Sequence, residues 1–213
     1  MKHRRISSSE SLINFIQQKS PGKGVEQTLD INMIQSLVSG KEIHNINVLL
    51  CGDANVGKSS IISRYTKSKF DSIYIESIEL EMHKKTFNLN DKTYNYNFFI
   101  TIGSQRYMEN YEYLYKKCDI LLFVFDLSNK KSFEYIKKAK INAKKYSKKE
   151  QIHVFVGNKN ELLEKEISSL NVKKYCKENW IEYFEVSAKN NINIDRMFFR
   201  IGEMFNKLFI MNN

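Results

Sequence analysis

The most constraining feature of this chain is the segment 52–59, GDANVGKS, which directly follows the apolar run 46–51. Gly52 and Gly57 let the backbone turn so that successive N–H groups point at one anion, a turn that most residues with a Cβ resist. The apolar run before it is strand-like, and Ile61, Ile62 and Tyr65 recur at helical spacing after it. A strand, this turn and a helix together predict a phosphate-binding loop, and they argue against a glycine-rich turn without a ligand.

Two side chains of this loop have predicted roles toward a nucleotide. Lys58 brings a positive charge to the β- and γ-phosphates, and Ser59 offers a hydroxyl to the accompanying Mg²⁺. The helix that begins there adds its partial positive end. The predicted nucleotide-binding residues of the loop are Gly52, Asp53, Ala54, Asn55, Val56, Gly57, Lys58, Ser59 and Ser60.

Length and composition limit the remaining possibilities. A chain of 213 residues has enough material for one core and a modest appendage. No run approaches the roughly twenty apolar residues of a membrane span, and no signal-peptide core follows the start, so we expect a soluble intracellular protein. Cys51, Cys118 and Cys176 are far apart and odd in number, which predicts buried reduced thiols. No zinc-like Cys/His spacing occurs.

The net charge of +10 raises the question of a nucleic-acid or anionic-membrane partner. Much of the excess lies in one segment, where apolar residues at helical spacing predict an amphipathic helix with a solvated lysine face. We therefore expect no nucleic-acid partner. The apolar positions are Phe133, Ile136, Ala139, Ala143 and Tyr146, and the lysines are Lys137, Lys138, Lys140, Lys144, Lys145, Lys148 and Lys149.

The chain divides into an extension, a domain and a tail. Residues 1–45 are polar and predict an extension that is flexible or forms two short helices; residues 46–210 predict the domain, and 211–213 a tail. Within the domain, apolar strands at 46–51, 120–125, 152–156 and 181–186 alternate with helical patterns, and a turn-rich stretch at 88–92 predicts a hairpin. The predicted fold class is α/β, a doubly wound P-loop NTPase with a mostly parallel six-stranded sheet and one antiparallel hairpin strand.

The loops after the later strands carry a family resemblance. Residues 157–161, GNKNE, and 187–189, SAK, resemble the guanine-recognition loops of Ras-like small GTPases. With DLSN at 126–129 and the phosphate loop, the chain most resembles the Rab branch over roughly residues 46–210. The resemblance implies GTP or GDP with Mg²⁺ as cofactors. It also implies a protein that binds effector and exchange proteins, and we expect that protein to be a monomer.

The same resemblance implies further nucleotide contacts. Asn158 and Lys159 are expected to line the base pocket, and the Ala188 N–H, between Ser187 and Lys189, is expected to reach the guanine carbonyl. Phe70 matches an aromatic that packs edge-on against the base. The base-reading aspartate of the family falls on Glu161. Its additional methylene displaces the carboxylate by about 1.5 Å, so we expect weakened guanine selectivity.

The hydrolytic machinery departs further from the family pattern. The motif Asp-x-x-Gly-Gln falls on residues 100–104, ITIGS, so Ile100 replaces the carboxylate that orients a magnesium-bound water. Gly103 is retained and is expected to meet the γ-phosphate through its N–H. Ser104 stands at the glutamine position, and Gln105 substitutes for that glutamine only if the loop bulges. We expect hydrolysis to be slow, in a family whose unassisted rates are of order 10⁻⁴ per second.

One switch element is better preserved. Ser77 matches a threonine whose hydroxyl meets Mg²⁺ in the triphosphate state, so Ser59 and Ser77 are the predicted metal ligands. No cysteine follows Cys176 and position 2 is Lys2, so neither prenylation nor myristoylation is expected. A cytoplasmic protein is expected, peripheral on endomembranes only through a partner or the extension.

The sequence supports one leading function and two alternatives. The first is a Rab-like guanine-nucleotide switch in vesicle and protein transport with weak hydrolysis. A pseudo-GTPase scaffold with weak or no nucleotide binding is the second, and Ile100 and Glu161 favour it. The third is an ATP-using P-loop enzyme, left open by the altered base carboxylate.

Overall fold

The computed structural model of the protein describes residues 43–71, 80–89, 92–103, 111–147 and 150–210. The extension up to residue 42 and the tail 211–213 lie outside the described residues. So do three positions of the predicted site: Ser77, Ser104 and Gln105.

The described chain contains six strands and five α-helices. In order they are β1 (Ile43–Cys51), α1 (Lys58–Lys67), β2 (Glu81–Leu89), β3 (Lys92–Ile100), α2 (Glu112–Lys117), β4 (Ile120–Asp126), α3 (Lys130–Tyr146), β5 (Ile152–Asn158), α4 (Ser169–Glu178), β6 (Glu182–Glu185) and α5 (Ile194–Phe205), followed by a π-helical turn (Asn206–Ile210). β1 begins at Ile43, so it takes in the last residues of the segment expected to be an extension.

The strands form one sheet in the order β2-β3-β1-β4-β5-β6. β2 and β3 pair antiparallel, and every other neighbouring pair is parallel. The predicted α/β fold with one antiparallel hairpin strand is therefore confirmed. Because the carboxyl ends of β1, β4, β5 and β6 meet at one edge, the loops that follow them are brought together there.

Helices cover both faces of the sheet. Every residue of β4 is buried, as expected for a central parallel strand. On one face α1 and α5 pack through residues such as Tyr65 and Phe198, whose rings stack at 4.0 Å between centroids. On the other face α2, α3 and α4 pack against the sheet.

Two further predictions about this core are confirmed. α3 buries Phe133, Ile136, Ala139 and Ala143 and exposes several of its lysines, as its pattern indicates. The three cysteines are buried, and burial raises the pKa of the Cys51 thiol to about 12. Among the described helices, none has both the length and the apolar character needed to cross a bilayer.

Candidate functional site

The phosphate loop lies between β1 and α1, and its glycines are required by close approaches to two other strands. A Cβ on Gly52 would lie 2.3 Å from the Val124 carbonyl oxygen of β4. Gly57 has φ +91°, and a Cβ there would lie 2.2 Å from Asn158 Nδ2 of β5. The loop is therefore held against the sheet in the conformation that the glycine spacing predicts.

The Lys58 side chain lies along this loop, and its ammonium group donates hydrogen bonds to backbone carbonyls. Its Nζ donates to the Gly52 oxygen at 3.0 Å and to the Asp53 oxygen at 2.7 Å, and the side chain is buried. An ammonium group has three N–H donors, so these two bonds leave one donor for an anion. Burial lowers the pKa of Lys58 to about 8, because desolvation disfavours the charged form. A phosphate group would supply the missing counter-charge.

This shift predicts that nucleotide affinity falls as pH rises above about 8. Above that pH Lys58 of the nucleotide-free protein has lost its proton, and binding of phosphate requires the proton to be taken up again. The affinity therefore falls by up to tenfold for each pH unit. Titration of a fluorescent GDP analogue between about pH 7 and pH 9 measures the affinity. Lys58→Arg stays charged and should lack the decline; equal profiles for both proteins contradict the prediction.

The pH dependence of folding has the opposite sign. Between the folded pKa of about 8 and the unfolded pKa of 10.5, the unfolded chain binds more protons, so the free energy of unfolding rises with pH.

Asn158 connects the phosphate loop to the loop after β6. It is 2% exposed; its Nδ2 donates to the Val56 oxygen at 2.9 Å, and its Oδ1 accepts from the Ala188 N–H at 3.2 Å. The structure thus brings together three predicted segments of the site around one amide. The Ala188 N–H, expected to contact guanine, is engaged by Asn158 here, and its contact with a base stays a prediction.

Lys159 is positioned by an ion pair from the neighbouring strand. Its Nζ lies 2.7 Å from Asp126 Oδ2, and the residue has φ +64°. The other carboxylate oxygen of Asp126 accepts from the N–H and the hydroxyl of Ser128, at 2.9 and 2.7 Å. Sequence reasoning used Asp126 only as part of a motif. Its place at the end of β4, beside β5, is the signal that gives it this positioning role.

The surroundings of Glu161 show whether a guanine base would fit this site. Its Oε2 is buried and has no hydrogen-bond partner among the described residues. A buried carboxylate oxygen without a partner costs free energy, and N–H groups on a ligand would remove that cost. Guanine offers two such N–H groups on one edge, so the residues present fit this base.

Arg64 is a site residue that sequence reasoning missed. From α1 its Nε donates to the Ala188 oxygen at 2.9 Å and its Nη2 to the Lys189 oxygen at 3.0 Å. Its guanidinium carbon lies 5.9 Å from the centroid of the half-buried Phe70 ring. Arg64 therefore fixes the base loop relative to α1. An arginine near a helix C-terminus usually reads as a surface residue, which is why its role was not predicted.

The remaining predicted loop residues have modest structural roles. Asp53 Oδ1 accepts from the Ala54 N–H at 2.8 Å, and Asn55 has φ +56°, a conformation that asparagine tolerates. Ser187 is buried and its hydroxyl oxygen accepts from the Asn190 N–H at 3.0 Å. Ser60 is half-buried in α1. Their contacts with a nucleotide stay predictions.

Gly103 lies directly against the phosphate loop. A Cβ on it would be 2.4 Å from the Ala54 nitrogen and 2.6 Å from the Asp53 carbonyl carbon. No side chain fits between these two segments without a backbone shift. The predicted contact of the Gly103 N–H with a γ-phosphate stays a prediction, since this placement supports it but no phosphate is present.

The predicted magnesium ligand Ser59 has a carboxylate partner. Its hydroxyl donates to Glu81 Oε1 at 2.9 Å, and Glu81 Oε2 lies 3.2 Å from His83 Nε2. Within the described ranges no cluster of three or more His, Cys, Asp or Glu residues is placed to hold a metal. Mg²⁺ at phosphate sites commonly takes only one or two protein oxygens besides the phosphates, so a hydroxyl and a carboxylate fit it.

Comparison with known proteins finds one matching family model and several similar curated proteins. The sequence model of the Ras family matches residues 47–207. Similar curated proteins include the Ras-related protein RABF2b of Arabidopsis thaliana, 28% identical over 77% of this chain and 82% of that protein. The Ras-related protein Rab-10 of Diplobatis ommata is 29% identical over 73% and 78%, and Rab-32D of Dictyostelium discoideum is 29% identical over 79% and 77%.

Proposed function

Because this chain belongs to the Ras family and is a divergent, Rab-like member of it, we propose that it is a guanine-nucleotide switch of intracellular vesicle and protein transport. Its cofactors are GTP or GDP with Mg²⁺. It binds effector and exchange proteins. The finer part of the proposal is that bound GTP is cleaved slowly.

The observation that carries the nucleotide proposal is the shared amide of Asn158. It joins the loop that holds Lys58 to the loop that would meet a base, and the unpartnered oxygen of Glu161 lies in the loop that follows Asn158. Phosphate and base can therefore be bound by one preformed scaffold. Binding needs little rearrangement, because the charged and polar groups are already fixed by hydrogen bonds.

Each described residue then has a defined task. Lys58 neutralises phosphate charge, the N–H groups of the loop donate to phosphate oxygens, and Glu161 selects the base edge. Mg²⁺, when bound, screens the β- and γ-phosphates, and Ser59 offers it a hydroxyl. Gly103 brings the end of β3 to the loop, so a γ-phosphate could be sensed there.

Two departures from the family pattern support the proposal of slow hydrolysis. Ile100 is fully buried and apolar at the position where the family has a magnesium-site carboxylate. Ser104 occupies the position of the water-orienting glutamine, and its short hydroxyl is poorly suited to span the attacking water and the phosphate. We expect single-turnover rates at or below the unassisted family value of order 10⁻⁴ per second.

The test has two measurements on the full chain. Chromatography of the denatured protein identifies the nucleotide that it carries, and release of phosphate from preloaded GTP gives the single-turnover rate. Bound guanine nucleotide with slow release supports the proposal. Bound guanine nucleotide with release well above the expected rate overturns slow hydrolysis alone, and bound adenine nucleotide overturns guanine recognition.

A scaffold that does without nucleotide is the second candidate, and one observation favours it. Lys58 and Ser59 both have partners within the protein, so these two side chains are held in place without a ligand. Calorimetric titration separates the candidates. Magnesium-dependent GTP binding at micromolar or tighter affinity rejects the scaffold, and its absence rejects the switch.

A further inference from the structure

The missing carboxylate of β3 has a counterpart on the neighbouring strand. In the antiparallel register of β2 and β3, Glu81 lies directly opposite Ile100. Directly opposite residues in such a pair project from the same face, with Cβ atoms about 4.5–5.5 Å apart. Glu81 therefore presents a carboxylate beside the place where the family resemblance expects one, on a side chain with an additional methylene to cross the gap.

The side chain of Glu81 reaches the phosphate loop. Its Oε1 accepts from the Ser59 hydroxyl at 2.9 Å, and its charge opposes the burial-induced loss of charge on Lys58. The side chain is 31% exposed, so it is partly shielded from water without being sealed in the core. Ammonium, hydroxyl and carboxylate thus converge at one end of the loop.

The second oxygen of Glu81 is also held. His83, two residues along β2 on the same face, has its Nε2 3.2 Å from Glu81 Oε2. A carboxylate fixed through both oxygens loses little further conformational freedom when a cation arrives. This arrangement favours a positioned ligand group over a mobile surface glutamate.

We propose that Glu81 supplies the carboxylate of the magnesium site from β2, in place of the one that Ile100 removes from β3. This inference rests on the proposed nucleotide binding. Mg²⁺ prefers hard, anionic oxygen, and a site whose only described protein oxygen is the neutral Ser59 hydroxyl would hold it weakly beside the phosphates. Glu81 restores that negative charge while it orients Ser59. Glu81 would then replace the metal-binding carboxylate that β3 has lost, but it would not replace the glutamine that orients the attacking water.

The test compares Glu81→Gln with the wild-type chain. The substitution keeps the size of the side chain and an oxygen that can accept from Ser59, but it removes the charge. The dissociation rate of a fluorescent GDP analogue is followed over a Mg²⁺ titration, and again in excess chelator. We expect the Mg²⁺ concentration for half-maximal nucleotide retention to rise roughly 10- to 100-fold. Without metal the variant should release nucleotide no faster than the wild type, because the Glu81 carboxylate then only repels the phosphates.

A matched control and the outcomes make the test decisive. Glu178→Gln removes an exposed carboxylate at the end of α4 and should not change the Mg²⁺ requirement. An unchanged or lower Mg²⁺ requirement for Glu81→Gln overturns the inference alone, because Glu81 would then be neutral toward the metal or block Ser59. Failure of the wild type to bind the analogue, with or without Mg²⁺, overturns the proposed function and this inference together.

Discussion

Lys58→Ala is expected to abolish stable nucleotide binding. The substitution removes the buried ammonium that the Gly52 and Asp53 carbonyls hold, and it leaves the phosphate charge without its counter-charge. Losing one partner of such a buried charged contact costs about 3–5 kcal/mol. That corresponds to a loss of affinity of roughly 10²- to 10³-fold or more. Nucleotide content after purification and calorimetric titration with GDP measure it.

The control for this variant is Lys145→Ala, which removes an exposed lysine from α3 and should retain wild-type nucleotide. Removing the buried charge of Lys58 also removes its desolvation cost, so the nucleotide-free variant should unfold no more easily than the nucleotide-free wild type. Retention of nucleotide by folded Lys58→Ala at wild-type levels would show that the loop does not bind phosphate.

Glu161→Gln is expected to change the base preference of the site. The carboxylate can accept from both N–H groups on the guanine edge, whereas an amide offers one acceptor and one donor. One donor then faces another donor, and the charge assistance is lost. At about 1.5–3 kcal/mol for each hydrogen bond to a charged group, GTP affinity should fall roughly 10²-fold or more. Xanthosine triphosphate, which has a carbonyl in place of the amino group, should gain relative to GTP.

Competition of GTP, ATP and xanthosine triphosphate against a fluorescent analogue measures this preference. Glu164→Gln is the matched control, because Glu164 is exposed in the same loop. Equal GTP affinity in the two variants would mean that Glu161 does not read the base, and the purine would then have to be selected by other groups.

The parts of this protein that the sequence predicted are those with a local signature. The phosphate loop has its glycines at fixed spacing, β4 is a continuous apolar run, and α3 alternates apolar and lysine faces at helical spacing. Each of these signals is carried by residues close together in the chain. The fold followed, because such elements in this order allow few arrangements.

What the sequence did not reveal depends on residues far apart in the chain. Glu81 was not singled out from the sequence, since its relation to Ile100 and Ser59 exists only once the strand register is known. Arg64 likewise acquires its role through carbonyls more than a hundred residues away. Motif comparison assigns a role to a position, whereas a side chain can supply the same charge from the neighbouring strand.

The amide of Asn158 has a consequence for the energetics of the ligand as a whole. Because one rigid side chain braces both the turn beneath the phosphates and the loop near the purine, the two ends of the site are held at a fixed spacing before a ligand arrives. The binding free energies of guanosine alone and pyrophosphate alone, added together, should fall well short of the binding free energy of the intact nucleotide. We therefore expect the protein to bind whole nucleotides in preference to their fragments, a selectivity that no single contact provides.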